Sequence, residues 1–373
     1  MAGAESNSAA MPRAPFRLRH LPPRSGGRNQ VGRFIADNMH ANKSTPSGPH
    51  VRRSILMLLL VLFSTFAHAA TQPEPPSITS RQPVVRIDDV ARFYAVYDKA
   101  EGKPSAAALQ AGYLDAGSPG LQQFVTARIS SAQKLADAIA KSPQDFRNAR
   151  RCVPMLPAAR DQLRQVFSEL TKLDPQATFP PVTIVIGRNN TGGTTTANGV
   201  TIGLEVICRS NWLTPDITQR LVHLIAHEYV HVQQPAAQVA PPANATVLFA
   251  SLVEGGAEFI GELTSGEVLN VHLKRWTQDK ACRIERDFQT HAMDTDMSHW
   301  LYNGPGTPQA PGDLGYWVGY RIARAYYAHA SDKPRAIQDI LNVNNDNAAS
   351  FLERSGWRAD EDCAAASAQS RRE

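Results

Sequence analysis

Residues 214–235 read TPDITQRLVHLIAHEYVHVQQP, and this stretch carries its own start and stop signals. Thr214-Pro215-Asp216 supplies a hydroxyl to cap a helix, a proline at the first helical position and an acid in the first turn. Pro235 ends the segment. Within it, His227-Glu228-Tyr229-Val230-His231 is an HExxH string. Four residues advance a helix by a little over one turn, so His227 and His231 project from one face and can reach a single ion. Neutral imidazoles suit Zn²⁺, and Glu228, one position on, swings toward the corner where a water would sit. Zinc brings that water's pKa down to about 7, and the carboxylate takes its proton as it attacks a carbonyl. His223 lies one turn earlier, roughly 12 Å from His231 at 1.5 Å per residue, too far for both to bind one ion. It reads as a packed core histidine.

HExxH needs a third ligand, and residues 252–261 (LVEGGAEFIG) offer one. Two antiparallel helices joined by the Pro/Ala-rich stretch after Pro235 would bring Glu254 opposite the two histidines. Glu258, one turn later on the same face, is then placed to accept a hydrogen bond from the distal nitrogen of a ligating imidazole.

HEYVH followed by EGGAE resembles the gluzincin branch of HExxH zinc metallopeptidases. Within that branch the chain is most similar to a bacterial family of predicted zinc-dependent proteases that also carries a downstream Gly-Tyr-rich helix, here Gly315-Tyr316-Trp317-Val318-Gly319-Tyr320. The resemblance covers roughly residues 180–330. It implies a zincin-like core holding one Zn²⁺ on His227, His231 and Glu254, with Glu228 as general base. The spacing from His231 to Glu254 is a few residues longer than in the best-known gluzincins, which leaves Glu258 as the alternative ligand. Gly-Gly-Ala directly after Glu254 matches the family pattern and favours Glu254. The resemblance also implies an electrophile facing the zinc; Tyr320 and Tyr316 are the candidates, Tyr320 being preferred, with His291 or His299 as substitutes. Aromatics at helical spacing are more often core.

Outward from this centre, Val182–Gly187 (VTIVIG) and Val200–Ile207 (VTIGLEVI) read as two strands forming a hairpin or lying side by side, separated by a polar, glycine-rich and flexible connection over 188–199. The first could serve as an edge along which an extended peptide pairs. Helical patterns follow near 246–265, 267–292 and 312–330, and another helical region spans 88–175. The expected fold is α+β and mainly helical, with a short sheet, the HExxH helix and a glutamate helix in a zincin-like domain over 176–360.

The termini define the compartment. Residues 54–67 form an uninterrupted apolar run after Arg52-Arg53 and before Ala67-His68-Ala69, which reads as a signal peptide in a leader over 1–69. The run is shorter than the roughly 18 residues of a membrane span, so no stable insertion is expected after cleavage. Met39 is a plausible true start. Residues 70–87 read as a Pro-rich tether and 361–373 as a polar tail. Nine of the 39 basic residues but only two of the 34 acids fall in residues 1–69, so the remainder is slightly acidic. A nucleic-acid partner, which needs a basic patch, is not expected. Cys152, Cys208, Cys282 and Cys363 all follow the leader, and in an oxidising compartment they should form two disulfides, with three connectivities open. These readings converge on an exported, periplasmic or secreted hydrolase acting on peptides or proteins. The alternative is a zincin-fold protein that binds metal without turnover, for instance in envelope assembly. Glu228 argues against that alternative, since a pure metal binder needs no base there.

Overall fold

The segments that read as strands assemble into one small mixed sheet, with helices on both faces. The computed structural model describes residues 82–196, 199–239 and 242–359. The leader with its apolar run and cleavage pattern, the tether as far as residue 81, and the C-terminal tail with Cys363 lie outside the described residues. Strands β1 (Val85–Arg86), β2 (Val182–Val185), β3 (Gly193–Thr196) and β4 (Gly199–Gly203) lie in the order β1-β2-β4-β3. β1, β2 and β4 run parallel, and β3 returns antiparallel to β4.

Three strand-level expectations change. Of the two arrangements open to the 182–187 and 200–207 segments, the side-by-side one is found: they are parallel neighbours and not a hairpin, because the chain between them makes a strand of its own. That strand, Gly-Thr-Thr-Thr, hides in the connection expected to be flexible; its β-branched threonines suit a pleated surface and its polarity masked it. β3, and not β2, therefore forms the sheet edge on that side. The second apolar run stops being a strand at Gly203, and Leu204–Arg209 is a helix whose residues Leu204, Glu205, Val206 and Ile207 are all buried. A short apolar run buried on every side has no periodicity to tell helix from strand.

The N-terminal region is helical as expected, broken into pieces that start at serines. Ser105, Ser118 and Ser131 each accept an N–H from three residues on, satisfying donors that the first helical turn leaves open. Its longest helix, Leu156–Leu173, packs on the HExxH helix. Alternation along β3 shows how the layers stack. Thr194 and Thr196 point to Arg128 and Gln123 of the N-terminal region, whereas Thr195 points to Glu228 on the other side. A disulfide between Cys152 and Cys208 ties the N-terminal region to the Leu204–Arg209 helix. No cysteine among the described residues is free.

The C-terminal half is built on the helices Ile217–Gln233, Val247–Ser265 and Leu314–His329. The first is capped by Asp216, whose side chain accepts the Gln219 N–H at 3.1 Å, two residues later than the expected Thr214 cap. Pro215 thus precedes the cap. The pattern near 267–292 divides into Val271–Trp276 and Ala281–His291. One apolar core runs from Val90 through Phe351. No helix among the described residues is long and apolar enough to cross a membrane.

Candidate metal centre

The HExxH helix is buried from Arg220 to His231, so its histidines are presented inside the molecule and not on a solvent face. Arg220 pins its start, donating to the carbonyls of Thr214, Ile207 and Pro215. The glutamate helix begins at a Thr246 cap whose hydroxyl accepts the Phe249 N–H at 3.2 Å. Its partner is the Leu314–His329 helix, and the two cross at glycines. A Cβ on Gly255 would lie 2.1 Å from the backbone of Gly319 and Tyr320, and one on Gly319 would lie 1.7 Å from the Ser251 carbonyl oxygen. Only glycine allows backbones that close. Gly261 rests on the HExxH helix beside His227.

These packings bring three donors together. His227 Nε2 and His231 Nε2 face each other at 3.2 Å. Glu254 Oε2 lies 3.5 Å from the first and 3.3 Å from the second. All three residues are buried, and among the described residues they are the group whose donor atoms could hold one ion. The separations test the fit directly. Donors each about 2.0–2.1 Å from a tetrahedral zinc stand about 3.3 Å from one another, which is the triangle found here. Two imidazoles and a carboxylate form a donor set suited to Zn²⁺.

The surrounding contacts orient the ring nitrogens. His231 Nδ1 meets Gln234 Oε1 at 2.6 Å, and the Gln234 amide donates onward to the Val253 carbonyl at 3.0 Å. His227 Nδ1 faces Glu258 Oε1 at 3.4 Å, longer than a well-formed hydrogen bond. Glu258 in turn accepts from the side chain and main chain of Asn270 at 2.7 and 3.3 Å. Glu254 therefore stands at the facing Nε2 atoms and Glu258 behind the ring of His227. Burial alone would push the His227 imidazole down, but the Glu254 and Glu258 carboxylates outweigh it and raise it to about 10.

Glu228 is buried and is held by β3. Thr195 donates to its Oε2 at 2.6 Å, and its main-chain carbonyl lies 3.1 Å from the same hydroxyl. Gly193 leaves room for the carboxylate: a Cβ there would sit 2.5 Å from Oε1. The turn that delivers β3 is anchored on the fully buried Glu205, which accepts the N–H groups of Gly187 and Asn189 at 2.9 and 3.1 Å. Burial pushes that carboxyl above its ordinary range, against the pull of those bonds.

Among the expected electrophiles, Tyr320 is turned elsewhere. Its hydroxyl donates to Glu262 Oε2 at 2.7 Å, and Glu262 is paired with Lys274 at 2.9 Å. Helical spacing one turn past Tyr316 carries it past the histidines. The half-buried His291 and the exposed His299 lie against Asp287, 3.4 and 3.8 Å from its carboxylate oxygens. Tyr316 is the candidate that reaches the site: its ring lies nearly parallel to that of His227, centroids 6.1 Å apart. Burial and the nearby carboxylates of Glu254 and Asp313 raise its phenol well above the usual range. Besides Thr195 and Gln234, the sequence reading missed Tyr302, whose hydroxyl donates to Glu254 Oε1 at 3.1 Å. It sits in an irregular segment with no period to expose it, just before Asn303-Gly304-Pro305-Gly306. His223 bonds Ser265 at 2.9 Å and stays apart from the donor group.

Fold and donor set define a mainly helical α+β protein with a candidate centre for one divalent ion on an HExxH helix. Residues 195–349, which contain every donor of that centre, match a family described as "Predicted Zn-dependent protease (DUF2268)". No curated protein and no solved structure matches the chain.

Proposed function

We propose that this chain is an exported zinc-dependent metallopeptidase. The observation that carries the reading is the buried triangle of two facing Nε2 atoms and Glu254 Oε2, with the Glu228 carboxylate on the adjacent position of the same helix. A metal binder without turnover has no use for a buried carboxylate positioned by a neighbouring strand.

His227, His231 and Glu254 would hold one Zn²⁺, which when bound lowers the pKa of a water and polarises a carbonyl. Gln234 and Glu258 orient the two imidazoles through their Nδ1 atoms. Glu228 accepts the water's proton and delivers it to the leaving amine, as a buried carboxylate next to the reacting atoms can. Thr195 holds that base through its Oε2, and Gly193 leaves room for the carboxylate on the strand side. Tyr316, on the face of His227, is the better-placed candidate than Tyr320 to meet the developing negative charge. β3 pairs with β4 on one flank and lies at the sheet edge beside Glu228, which suits an extended peptide adding as a further strand. Export is supported by the signal-like run and by the Cys152–Cys208 disulfide.

Replacing Glu228 with Gln keeps shape and hydrogen bonding but removes the base. Glu228→Gln is expected to retain zinc while chelator-sensitive cleavage of a peptide library falls by roughly 10²- to 10⁴-fold. Undiminished cleavage by that variant would refute the mechanism.

A further inference from the structure

We propose that Tyr302 is a positioning residue for the metal centre, holding Glu254 Oε1 away from the ion so that this ligand binds through Oε2 alone. The inference rests on the reading of His227, His231 and Glu254 as the ligands. The two oxygens of Glu254 have different neighbours: Oε2 faces both imidazoles at 3.3 and 3.5 Å, while Oε1 accepts the Tyr302 hydroxyl at 3.1 Å. A carboxylate whose second oxygen is occupied by a donor is fixed in plane and ligates through one atom. With Zn²⁺ bound, one-oxygen ligation would leave a ligand position for water that two-oxygen ligation would take.

The backbone supports a selected arrangement. Tyr302 has φ 59°, in the left-handed region that a bulky side chain rarely occupies. Such strain persists where surrounding contacts over-determine it, and it clusters at functional sites. Here the contacts come from Asn303. Its amide donates to the carbonyls of Ser298 and His299 at 3.1 and 3.0 Å, while its N–H donates to Asp313 Oδ1 at 3.0 Å and its Oδ1 accepts the Asp313 N–H at 2.6 Å. Asp313, itself at φ 58°, immediately precedes the Leu314–His329 helix that crosses the glutamate helix. This reciprocal latch closes the 303–313 loop onto the helix start and leaves Tyr302 aimed at Glu254.

The test uses the full chain stripped of metal and titrated with Zn²⁺ against a competing chromophoric chelator, for wild type, Tyr302→Phe and Asn303→Ala. The phenylalanine removes one hydroxyl; the alanine loosens the latch and leaves the hydroxyl in place. Both variants are expected to bind Zn²⁺ about 10- to 100-fold more weakly, as for loss of a group that orients a metal ligand. The metal-free near- and far-ultraviolet circular dichroism of Tyr302→Phe should match wild type even though loss of a bond to a buried carboxylate lowers its Tm somewhat, which separates positioning from a disrupted fold. With Co²⁺ as probe, Tyr302→Phe should show weaker visible absorption as Glu254 turns to two-oxygen ligation and the coordination number rises. Wild-type Zn²⁺ affinity and an unchanged Co²⁺ spectrum in both variants would overturn the inference while leaving the metal centre standing. A wild type that binds no Zn²⁺ would overturn the reading beneath it.

Discussion

Glu228 shows how little of a site one residue defines by itself. Its place in HExxH was legible because a helix puts His227 and His231, four apart, on one face and turns the next position, Glu228, toward the corner beside them. What holds its carboxylate was not legible, because Thr195 lies 33 positions away on a strand with no clear pattern. Tyr302 is likewise 48 positions from Glu254. The hydroxyl of Thr195 has a definite consequence. Thr195→Val keeps the β-branched shape and removes the donor, so kcat should fall roughly 10- to 100-fold through a mis-set base, with KM and zinc content unchanged and Thr195→Ser restoring the rate. A variant as fast as wild type would show that the bond to Oε2 is incidental.

The second ligand set was readable at the level of elements, where LVEGGAE reads as an apolar helix carrying glutamates one turn apart. The choice between those glutamates is made by packing: the Gly255–Gly319 crossing fixes the rotation of the glutamate helix, and that rotation puts Glu254, not Glu258, at the facing nitrogens. The strands were read less well, since β3 is polar and Leu204–Arg209 is buried all round, so neither showed its own period. The crossing is testable by Gly319→Ala. Alanine favours a helix by about 1 kcal/mol over glycine, but its Cβ would meet the Ser251 carbonyl at 1.7 Å, backbone against backbone, with no rotamer to relieve it. Overpacking of this kind costs about 1–3 kcal/mol or more. The net expectation is a lower midpoint in urea and weaker zinc retention as the helices part. A midpoint at or above that of wild type would show the crossing to be looser than described.

Across the whole molecule, the mainly helical α+β class was legible from the capped HExxH helix and the helical periods on both sides of it. The sheet order was not, because parallel pairing of β2 with β4 depends on the N-terminal helices that cover one face while the HExxH helix covers the other. The Cys152–Cys208 bridge ties the N-terminal region to the Leu204–Arg209 helix that precedes the HExxH helix. The centre therefore lies where segments far apart in the chain are clamped together, and the donors His227, His231 and Glu254 are all at 2 % exposure or less. Burying two imidazoles beside two carboxylates is costly unless a cation compensates them. The most direct measurement is the zinc content of the purified chain by elemental analysis, beside that of His231→Ala. One zinc per wild-type chain, lost from the variant, is the expected result; a wild type free of zinc after purification without chelator, or a His231→Ala protein that keeps its full complement, would contradict the account.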